Sequence, residues 1–97
     1  MQVIARRVLR EFWEEHPNAG QPLKAWFHEV AHASWSNTAD LKRRFPSASV
    51  ITRDRIVFNI CGNNFRLIAR INFVSQTLFI RFIGTHQEYD RVDPETV

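Results

Sequence analysis

The stretch that decides the fold runs from Ile56 to Asp90 and reads IVFNICGNNFRLIARINFVSQTLFIRFIGTHQEYD. It contains runs of β-branched and aromatic residues separated by polar breaks, a pattern that predicts strands joined by hairpin turns. Gly62-Asn63 suits a two-residue loop because glycine and asparagine adopt positive φ at low cost. The cross-strand pairs that this loop predicts are Cys61–Asn64, Ile60–Phe65, Phe58–Leu67 and Ile56–Ala69.

A second turn is predicted at Ser75-Gln76, which is weaker turn chemistry than Gly-Asn. It predicts the pairs Val74–Thr77, Asn72–Phe79, Arg70–Arg81 and Ile68–Ile83. Side chains alternate across a strand, so both hairpins together divide the residues between two faces. The predicted core face collects Ile56, Phe58, Ile60, Phe65, Leu67, Ala69, Ile71, Phe73, Leu78, Ile80 and Phe82. The opposite face collects Asn59, Cys61, Asn64, Arg66, Ile68, Arg70, Asn72, Phe79, Arg81, Ile83 and Thr85.

The second face holds arginines at three positions and no carboxylate: Arg66, Arg70 and Arg81. Like charges on one sheet face repel each other, so this cluster has a cost in the free protein. One interpretation is a solvated outer face with carboxylates nearby. The other is an anion site, because arginine makes planar, bidentate contacts to phosphate. The density of the cluster favours the anion site.

The whole-chain composition limits the classes of function. With 97 residues, the chain is expected to form one domain, residues 1–97. Its hydrophobic content of 44% is typical of a globular protein, and its net charge of +3 permits nucleic-acid binding without demanding it. A single cysteine excludes an internal disulfide framework, and no His or Cys spacing predicts a zinc site. No signal peptide or membrane span is indicated, so a soluble cytoplasmic protein is expected.

The residues before this stretch predict helices. Gln2–Ala5 fits a short strand or a first helical turn, and apolar spacing predicts helices over Ala5–Glu15 and from Pro22 onward. A short helix, Ala39–Arg44, is predicted after a cap at Asn37 or Thr38, and a first strand over Val50–Arg53. The predicted fold is α+β, with N-terminal helices on one face of a mainly antiparallel sheet and a short C-terminal helix.

Two groups of polar side chains in this helical part have open interpretations. Lys42, Arg43 and Arg44 form either a basic rim beside the sheet or an ordinary solvated charge run. His28 and His32 lie four residues apart, a spacing that can bind a metal, but no third ligand is evident and surface histidines are the expected interpretation.

Thr85 and Glu88 have the spacing of a capping box, which predicts that a short helix follows the last strand. On that helix His86, Tyr89 and Asp90 can share one side, near the arginine face. They either pack and cap a terminal helix or place an imidazole beside a phosphate site. Metal-independent RNA cleavage by the ribose 2′-hydroxyl needs such groups, but a non-catalytic RNA-binding module uses nearly the same set. Spacing alone does not choose between the two.

The segments FPSAS, VFNICGN, FRLIARINF and QTLFIRFIGTHQEYD, after a Trp-bearing helical pair, resemble the HigB-type toxins of bacterial type II toxin–antitoxin systems. These toxins belong to the RelE-like group of small proteins with helices and a sheet. The resemblance implies an mRNA interferase, an endoribonuclease that needs no cofactor and cuts messenger RNA mostly on the ribosome. It also implies inhibition by a HigA-type antitoxin that carries a helix-turn-helix and through which operator DNA is bound.

The resemblance also implies roles for individual residues. Arg66 and Arg81 would contact phosphate and stabilise the transition state, His86 would act as acid or base, and Tyr89 would orient or stack. The remaining residues implied to contact RNA are Asn59, Asn64, Arg70, Lys42 and Arg43. Cys61 stands where a lysine is expected, and Arg70 restores a cation. The alternatives are a binding-only protein and a degenerate toxin that acts only through its antitoxin and operator complex.

Overall fold

Five strands form one mixed sheet. The computed structural model describes residues 1–97, and its strands are β1 (Gln2–Ile4), β2 (Ser49–Thr52), β3 (Arg55–Ile60), β4 (Phe65–Asn72) and β5 (Thr77–Thr85). Their order across the sheet is β1-β5-β4-β3-β2. β1 runs parallel to β5, and every other neighbouring pair is antiparallel. The mainly antiparallel sheet predicted from the sequence is therefore confirmed.

The helices precede the sheet, apart from one short helix at its end. They are α1 (Arg6–Glu15), α2 (Gly20–Ala31), α3 (Thr38–Arg44) and α4 (His86–Tyr89), and a 3-10 turn at Pro17–Ala19 joins the first two. α2 begins earlier than predicted because this turn continues directly into the helix. α3 begins at its predicted cap, where the Asn37 side chain accepts a hydrogen bond from the main-chain nitrogen of Asp40 at 3.0 Å. None of the helices has both the length and the apolar content that a membrane crossing requires.

The helices pack on one face of the sheet and bury a core of 17 apolar residues. Leu9 of α1, Leu23 of α2 and Leu41 of α3 are each almost completely buried. Burial of one such side chain stabilises the fold by about 1.5–3 kcal/mol. Aromatic rings also meet edge to face in this core, with Phe58 in contact with Trp26 and Phe45 at centroid distances of 5.3 and 5.2 Å. The α+β arrangement, with helices on the apolar face, is confirmed.

The first hairpin has the predicted register. Its ladder includes the predicted pairs Ile56–Ala69, Phe58–Leu67 and Ile60–Phe65. Cys61 and Asn64 close the loop through a main-chain hydrogen bond of 3.2 Å. Positive φ angles fall on Cys61 and Gly62, at 54° and 64°. Gly62 therefore has the predicted positive φ, but the second residue of the loop with a positive φ is Cys61 instead of Asn63.

The register predicted for the second hairpin is wrong. The loop has four residues, 73–76, and Asn72 pairs with Thr77. The Asn72 side chain accepts a hydrogen bond from the main-chain nitrogen of Ser75 at 3.0 Å, and Gln76 has a φ of 55°. The Gln76 side chain also donates to the main-chain oxygen of Trp35 at 2.6 Å, a contact with the helical part of the chain. Local turn chemistry and this long-range contact together select the longer loop.

A β-bulge at Arg81 changes which β5 side chains face the core. Ile80 pairs with Ala69 and Phe82 pairs with Ile68, so Arg81 is an extra residue without a partner. An extra residue reverses the alternation of side chains beyond it. Ile83 and Thr85 consequently lie on the core side, opposite Leu67 and Phe65, and Phe82 lies on the other side. The predicted positions of Phe82, Ile83 and Thr85 are therefore wrong, and Arg70 faces Phe79 instead of Arg81.

Substitution of Gly84 by alanine is expected to destabilise the fold. A Cβ at this position would lie 2.5 Å from Cζ of Phe82 and 3.1 Å from Oε1 of Glu88. Relief of such overpacking typically costs about 1–3 kcal/mol. Urea unfolding of Gly84→Ala measures this loss. The control is Ser34→Ala at an exposed loop position, which should change the free energy of unfolding by less than about 0.5 kcal/mol. Equal stability of the two variants would contradict the packing around Gly84.

The start of α4 is expected to depend on pH through Glu88. The Glu88 carboxylate accepts a hydrogen bond from the main-chain nitrogen of Thr85 at 2.8 Å, and this bond lowers the Glu88 pKa below its ordinary value of 4.5. A lowered pKa in the folded state stabilises α4 above pH 4.5, and this stabilisation is lost as the pH falls through the folded pKa. The protection of the amides of residues 85–90, measured as exchange rates corrected for the intrinsic effect of pH, should therefore decrease at low pH. Glu88→Gln should show faster exchange already at pH 7 and a weaker pH dependence; identical profiles would reject the role of the carboxylate.

Candidate functional site

The sheet face that points away from the core carries four of the predicted site residues: Asn59, Arg66, Arg70 and Arg81. In β3 and β4 its side chains form the cross-strand pairs Arg55–Arg70, Val57–Ile68 and Asn59–Arg66. We call this surface, together with Phe79 and Arg81 of β5, the polar face. Its centre is apolar, because Val57 and Ile68 are only 3% and 0% exposed and lie outside the main core. The arginines are therefore divided between the two ends of the face.

Two contacts, one between Arg66 and Tyr89 and one between the main chains of His86 and Asn64, lie where the sheet ends and α4 begins. The guanidinium carbon of Arg66 lies 5.8 Å from the centroid of the Tyr89 ring, within the range of a cation–π contact. The main-chain nitrogen of His86 donates to the main-chain oxygen of Asn64 at 3.2 Å, so the loop of the first hairpin holds the first residue of α4. We call these four residues the α4 cluster. It places a cation, a phenol and an imidazole around one short helix.

The side chain of His86 has one partner and is half exposed. Its Nδ1 lies 3.3 Å from Oδ2 of Asp90, one helical turn further on. This contact agrees with the predicted shared side of α4 and orients the ring. Because Asp90 engages Nδ1, Nε2 remains available to another group. Through Nε2 the imidazole can donate a hydrogen bond to a ligand or accept one from it.

His16 is a further member of this region that the sequence did not reveal. Its ring stacks on Phe12 at a centroid distance of 4.4 Å and lies 5.6 Å from the ring of Phe65. Phe65 pairs with Thr85, the N-cap of α4, and His16 lies close enough to Glu88 to add, after the hydrogen bonds with Thr85, to the lowering of the Glu88 pKa. The end of α1 therefore lies close to the start of α4. His16 comes near His86 because its ring lies against Phe65, and Phe65 pairs with Thr85, the residue before His86. No spacing in the sequence predicts this proximity.

Arg81 lies on the polar face but outside the α4 cluster. Its Nε donates to the main-chain oxygen of Val97 at 3.2 Å, and Arg55 donates to the same oxygen at 2.6 Å. Residues 94–97 therefore cross this part of the polar face, where Arg55 also lies 3.5 Å from the main-chain oxygen of Pro94. Gly84, which pairs with Arg66, is three residues beyond Arg81. That separation corresponds to roughly 10 Å along a strand.

Arg55 is a polar-face cation outside the predicted strands, because the sequence predicts the first strand over Val50–Arg53 and the first hairpin from Ile56, whereas β3 begins at Arg55. The predicted pair Ile56–Ala69 already implied that Arg55 faces Arg70, and the structure has this pair. The two like charges have separate partners, since Arg70 lies 3.5 Å from Oδ2 of Asp54. The hydrogen bond from the Thr52 hydroxyl lowers the Asp54 pKa, and the hydrogen bond and charge of Arg70 lower it further. At this end of the face an arginine therefore has a carboxylate nearby, as the interpretation of a solvated outer face expects.

The remaining predicted RNA-contacting residues have local partners. Asn59 pairs with Arg66, and its side-chain nitrogen donates to the main-chain oxygen of Ser47 at 3.2 Å. Lys42 donates to the main-chain oxygens of Pro46 and Ala48 at 2.8 and 2.7 Å, and Arg43 pairs with Asp40. Lys42 thus stabilises the turn after α3. These contacts leave part of each side chain exposed at the side of the sheet formed by β2 and β3.

The two helical histidines lie side by side on α2 and its C-cap. The ring centroids of His28 and His32 are 4.3 Å apart, and Nδ1 of His32 bonds the main-chain oxygen of His28 at 2.8 Å. No group of three or more His, Cys, Asp or Glu side chains comes together anywhere in the chain.

Comparison with known proteins gives the same family by two routes. Residues 19–92 match the family model described as HigB_toxin, the RelE-like toxic component of a toxin–antitoxin system. The chain is 33% identical over 92 residues to the mRNA interferase toxin HigB of Escherichia coli K12, covering 93% of this chain and 88% of the relative. It is 29% identical over 94 residues to the mRNA interferase HigB of Escherichia coli O6:H1, covering 95% and 91%.

A third relative, the mRNA interferase HigB of Shigella flexneri, is 33% identical over 92 residues and covers 93% of this chain and 88% of its own length. The match to the family model extends from the last residue of the 3-10 turn before α2 to just beyond α4 and includes the whole α4 cluster. The chain therefore belongs to the HigB family of RelE-like toxins, the toxic components of toxin–antitoxin systems.

Proposed function

We propose that residues 1–97 form a single toxin domain that cuts messenger RNA on the translating ribosome. The cut uses the ribose 2′-hydroxyl and no metal ion, and a HigA-type antitoxin with a helix-turn-helix neutralises the toxin. The observation that carries this proposal is the α4 cluster, in which Arg66 lies against Tyr89 beside the first residue of α4, His86. The relatives named mRNA interferases support the same chemistry. The toxin acts in the cytoplasm, where its substrate is translated, and meets operator DNA only through the antitoxin.

The proposed reaction is an internal displacement at phosphorus. The 2′-oxygen forms a bond to the neighbouring phosphorus, and the bond between phosphorus and the 5′-oxygen breaks. The proton of the 2′-hydroxyl passes to a base, and a second group gives a proton to the departing 5′-oxygen. The products are a 2′,3′-cyclic phosphate and a 5′-hydroxyl. The phosphorane carries extra negative charge, which cations stabilise in the transition state.

The residues of the α4 cluster fit these roles. His86 acts through Nε2, because Asp90 engages Nδ1. It is either the base that takes the proton of the 2′-hydroxyl or the acid that gives a proton to the 5′-oxygen. Arg66 holds the phosphorane oxygens, and Tyr89 fixes the guanidinium through the ring contact at 5.8 Å. Asn64 and Asn59, on either side of Arg66, contact the RNA backbone or a base.

The second group of cations extends the phosphate path along the polar face. Arg81 and Arg55 both bind the main-chain oxygen of Val97, which shows that they can share one oxygen acceptor. A phosphate one or two nucleotides from the cut would take the place of this oxygen. Arg70, Lys42 and Arg43 would then contact more distant phosphates through their exposed parts.

Substitution of His86 or Arg66 by alanine is expected to abolish toxicity. Loss of a proton-transfer group lowers the rate by about 10²–10⁴-fold, and loss of a charge-stabilising donor by about 10²–10³-fold. Primer extension on an mRNA in a reconstituted translation system should show new 5′ ends with the wild type and none with either variant. Arg53→Ala, which removes an exposed arginine from the turn between β2 and β3, is the matched control and should cut normally.

The outcomes separate the proposed function from its alternatives. Persistent cuts by the double variant His86→Ala/Arg66→Ala would reject the assignment of these residues. No cuts by the wild type on active ribosomes would leave a binding-only or degenerate toxin. In that case, expression without the antitoxin should be tolerated, whereas an active toxin should arrest growth.

A single 2′-deoxy nucleotide at the cut site is expected to stop cleavage. The substitution removes the attacking oxygen, so a mechanism with an internal nucleophile should lose activity completely at that position. The same mRNA with the 2′-deoxy nucleotide three positions upstream is the control and should be cut. Mass spectrometry of the 3′ ends should find a 2′,3′-cyclic phosphate. Cleavage of the 2′-deoxy substrate would indicate attack by water instead.

A further inference from the structure

A basic groove between α1 and α2 has no role in the proposed cleavage. Four cations, Arg6, Arg7, Arg10 and Lys24, surround a floor that includes Trp13 and Phe27. The groove has a volume of about 590 Å³. We call it the helical groove. It lies in the helical layer, whereas the α4 cluster lies where the polar face of the sheet ends.

The cations of the helical groove lack the partners that other basic groups of this chain have. Only Arg7 is paired with a carboxylate, Glu11, at 3.3 Å, and Arg6, Arg10 and Lys24 have none. By contrast, Arg43, Arg44 and Arg70 each lie beside an acidic side chain. The groove therefore concentrates uncompensated positive charge over an apolar floor, which favours an acidic partner.

The aromatic rings of the groove distinguish a peptide from RNA. Single-stranded RNA binds by stacking its bases on exposed aromatic faces. Here Arg6 lies 4.6 Å from the centroid of Phe27, and Lys24 lies 5.2 Å from a ring centroid of Trp13. Cations therefore already occupy one face of each ring. Carboxylates can still pair with these cations, and aliphatic side chains can still contact the ring edges and Leu9 below them.

We propose that the helical groove is the docking site of an acidic amphipathic segment of the antitoxin. The segment would insert apolar side chains between α1 and α2 and pair its carboxylates with Arg6, Arg10 and Lys24, as a helix or strand does in an apolar groove. This inference rests on the toxin–antitoxin part of the proposed function and not on RNA cleavage. The antitoxin would then bind the helical layer and leave the α4 cluster uncovered.

The test compares affinity and catalysis in separate variants. The probe is the cognate antitoxin, whose affinity for the toxin is measured by calorimetry at two salt concentrations. Arg10→Glu/Lys24→Glu should weaken binding at least tenfold, because each substitution replaces an attraction by a repulsion. The same variant should cut mRNA like the wild type. His86→Ala should bind the antitoxin like the wild type and cut nothing, so a failure of the nuclease proposal remains distinguishable from a failure of this one.

Controls for charge and folding complete the experiment. Arg53→Glu makes an equivalent charge reversal in the exposed turn before β3 and should keep full affinity for the antitoxin. Hydrogen exchange of the wild-type complex needs no variant and should show protection of residues 6–27. Unchanged affinity of the double variant, equal weakening by Arg53→Glu, or protection confined to the polar face would overturn the proposal. Retained antitoxin affinity together with lost ribosome binding would assign the helical groove to RNA.

Discussion

The arrangement of the polar face depends on one extra residue in β5. Arg81 forms a bulge opposite Ile68 and Ala69, and the bulge reverses the alternation of every side chain beyond it. Ile83 therefore packs toward the core, and Gly84, which has no side chain, faces Arg66. Thr85 then faces Phe65, and its side chain caps the N-terminus of α4. Without the bulge, the cap and the imidazole that follows it would leave β5 on the opposite side.

The α4 cluster is held by contacts that come from three different parts of the chain. The loop of the first hairpin binds the main chain of His86 through Asn64, the capping box fixes the first turn of α4, and the end of α1 places His16 close to Glu88. Helices of a single turn are unstable in isolation, because nucleation is unfavourable. The position of the imidazole is therefore a property of the surrounding fold. The same dependence extends to Gly84, which pairs with Arg66, and to the Glu88 carboxylate, which caps α4.

The two surfaces of the molecule carry positive charge in different ways. On the polar face, Arg55, Arg70 and Arg81 have oxygen acceptors within the chain, which a phosphate chain would have to replace. In the helical groove, two of the four cations lie over aromatic rings and three of the four have no carboxylate partner. A toxin of this family has to meet both a nucleic acid and a protein partner. The proposed RNA path lies on the sheet and the proposed antitoxin site lies in the helical layer, so the two proposals use separate basic surfaces.

The sequence by itself determined the elements, the first hairpin and the capping box. The signals for these features are local: turn residues at Gly62, apolar periodicity in the helices, and the spacing of Thr85 and Glu88. Only the tertiary structure decided the second register, the bulge at Arg81, the crossing of residues 94–97 over the polar face, and the positions of His16 and Arg55. The Gln76 side chain, in the loop of the second hairpin, donates a hydrogen bond to the main-chain oxygen of Trp35. A shift of one residue in the pairing exchanges the two faces of a strand. Such contacts join residues far apart in sequence, so no local pattern contains them.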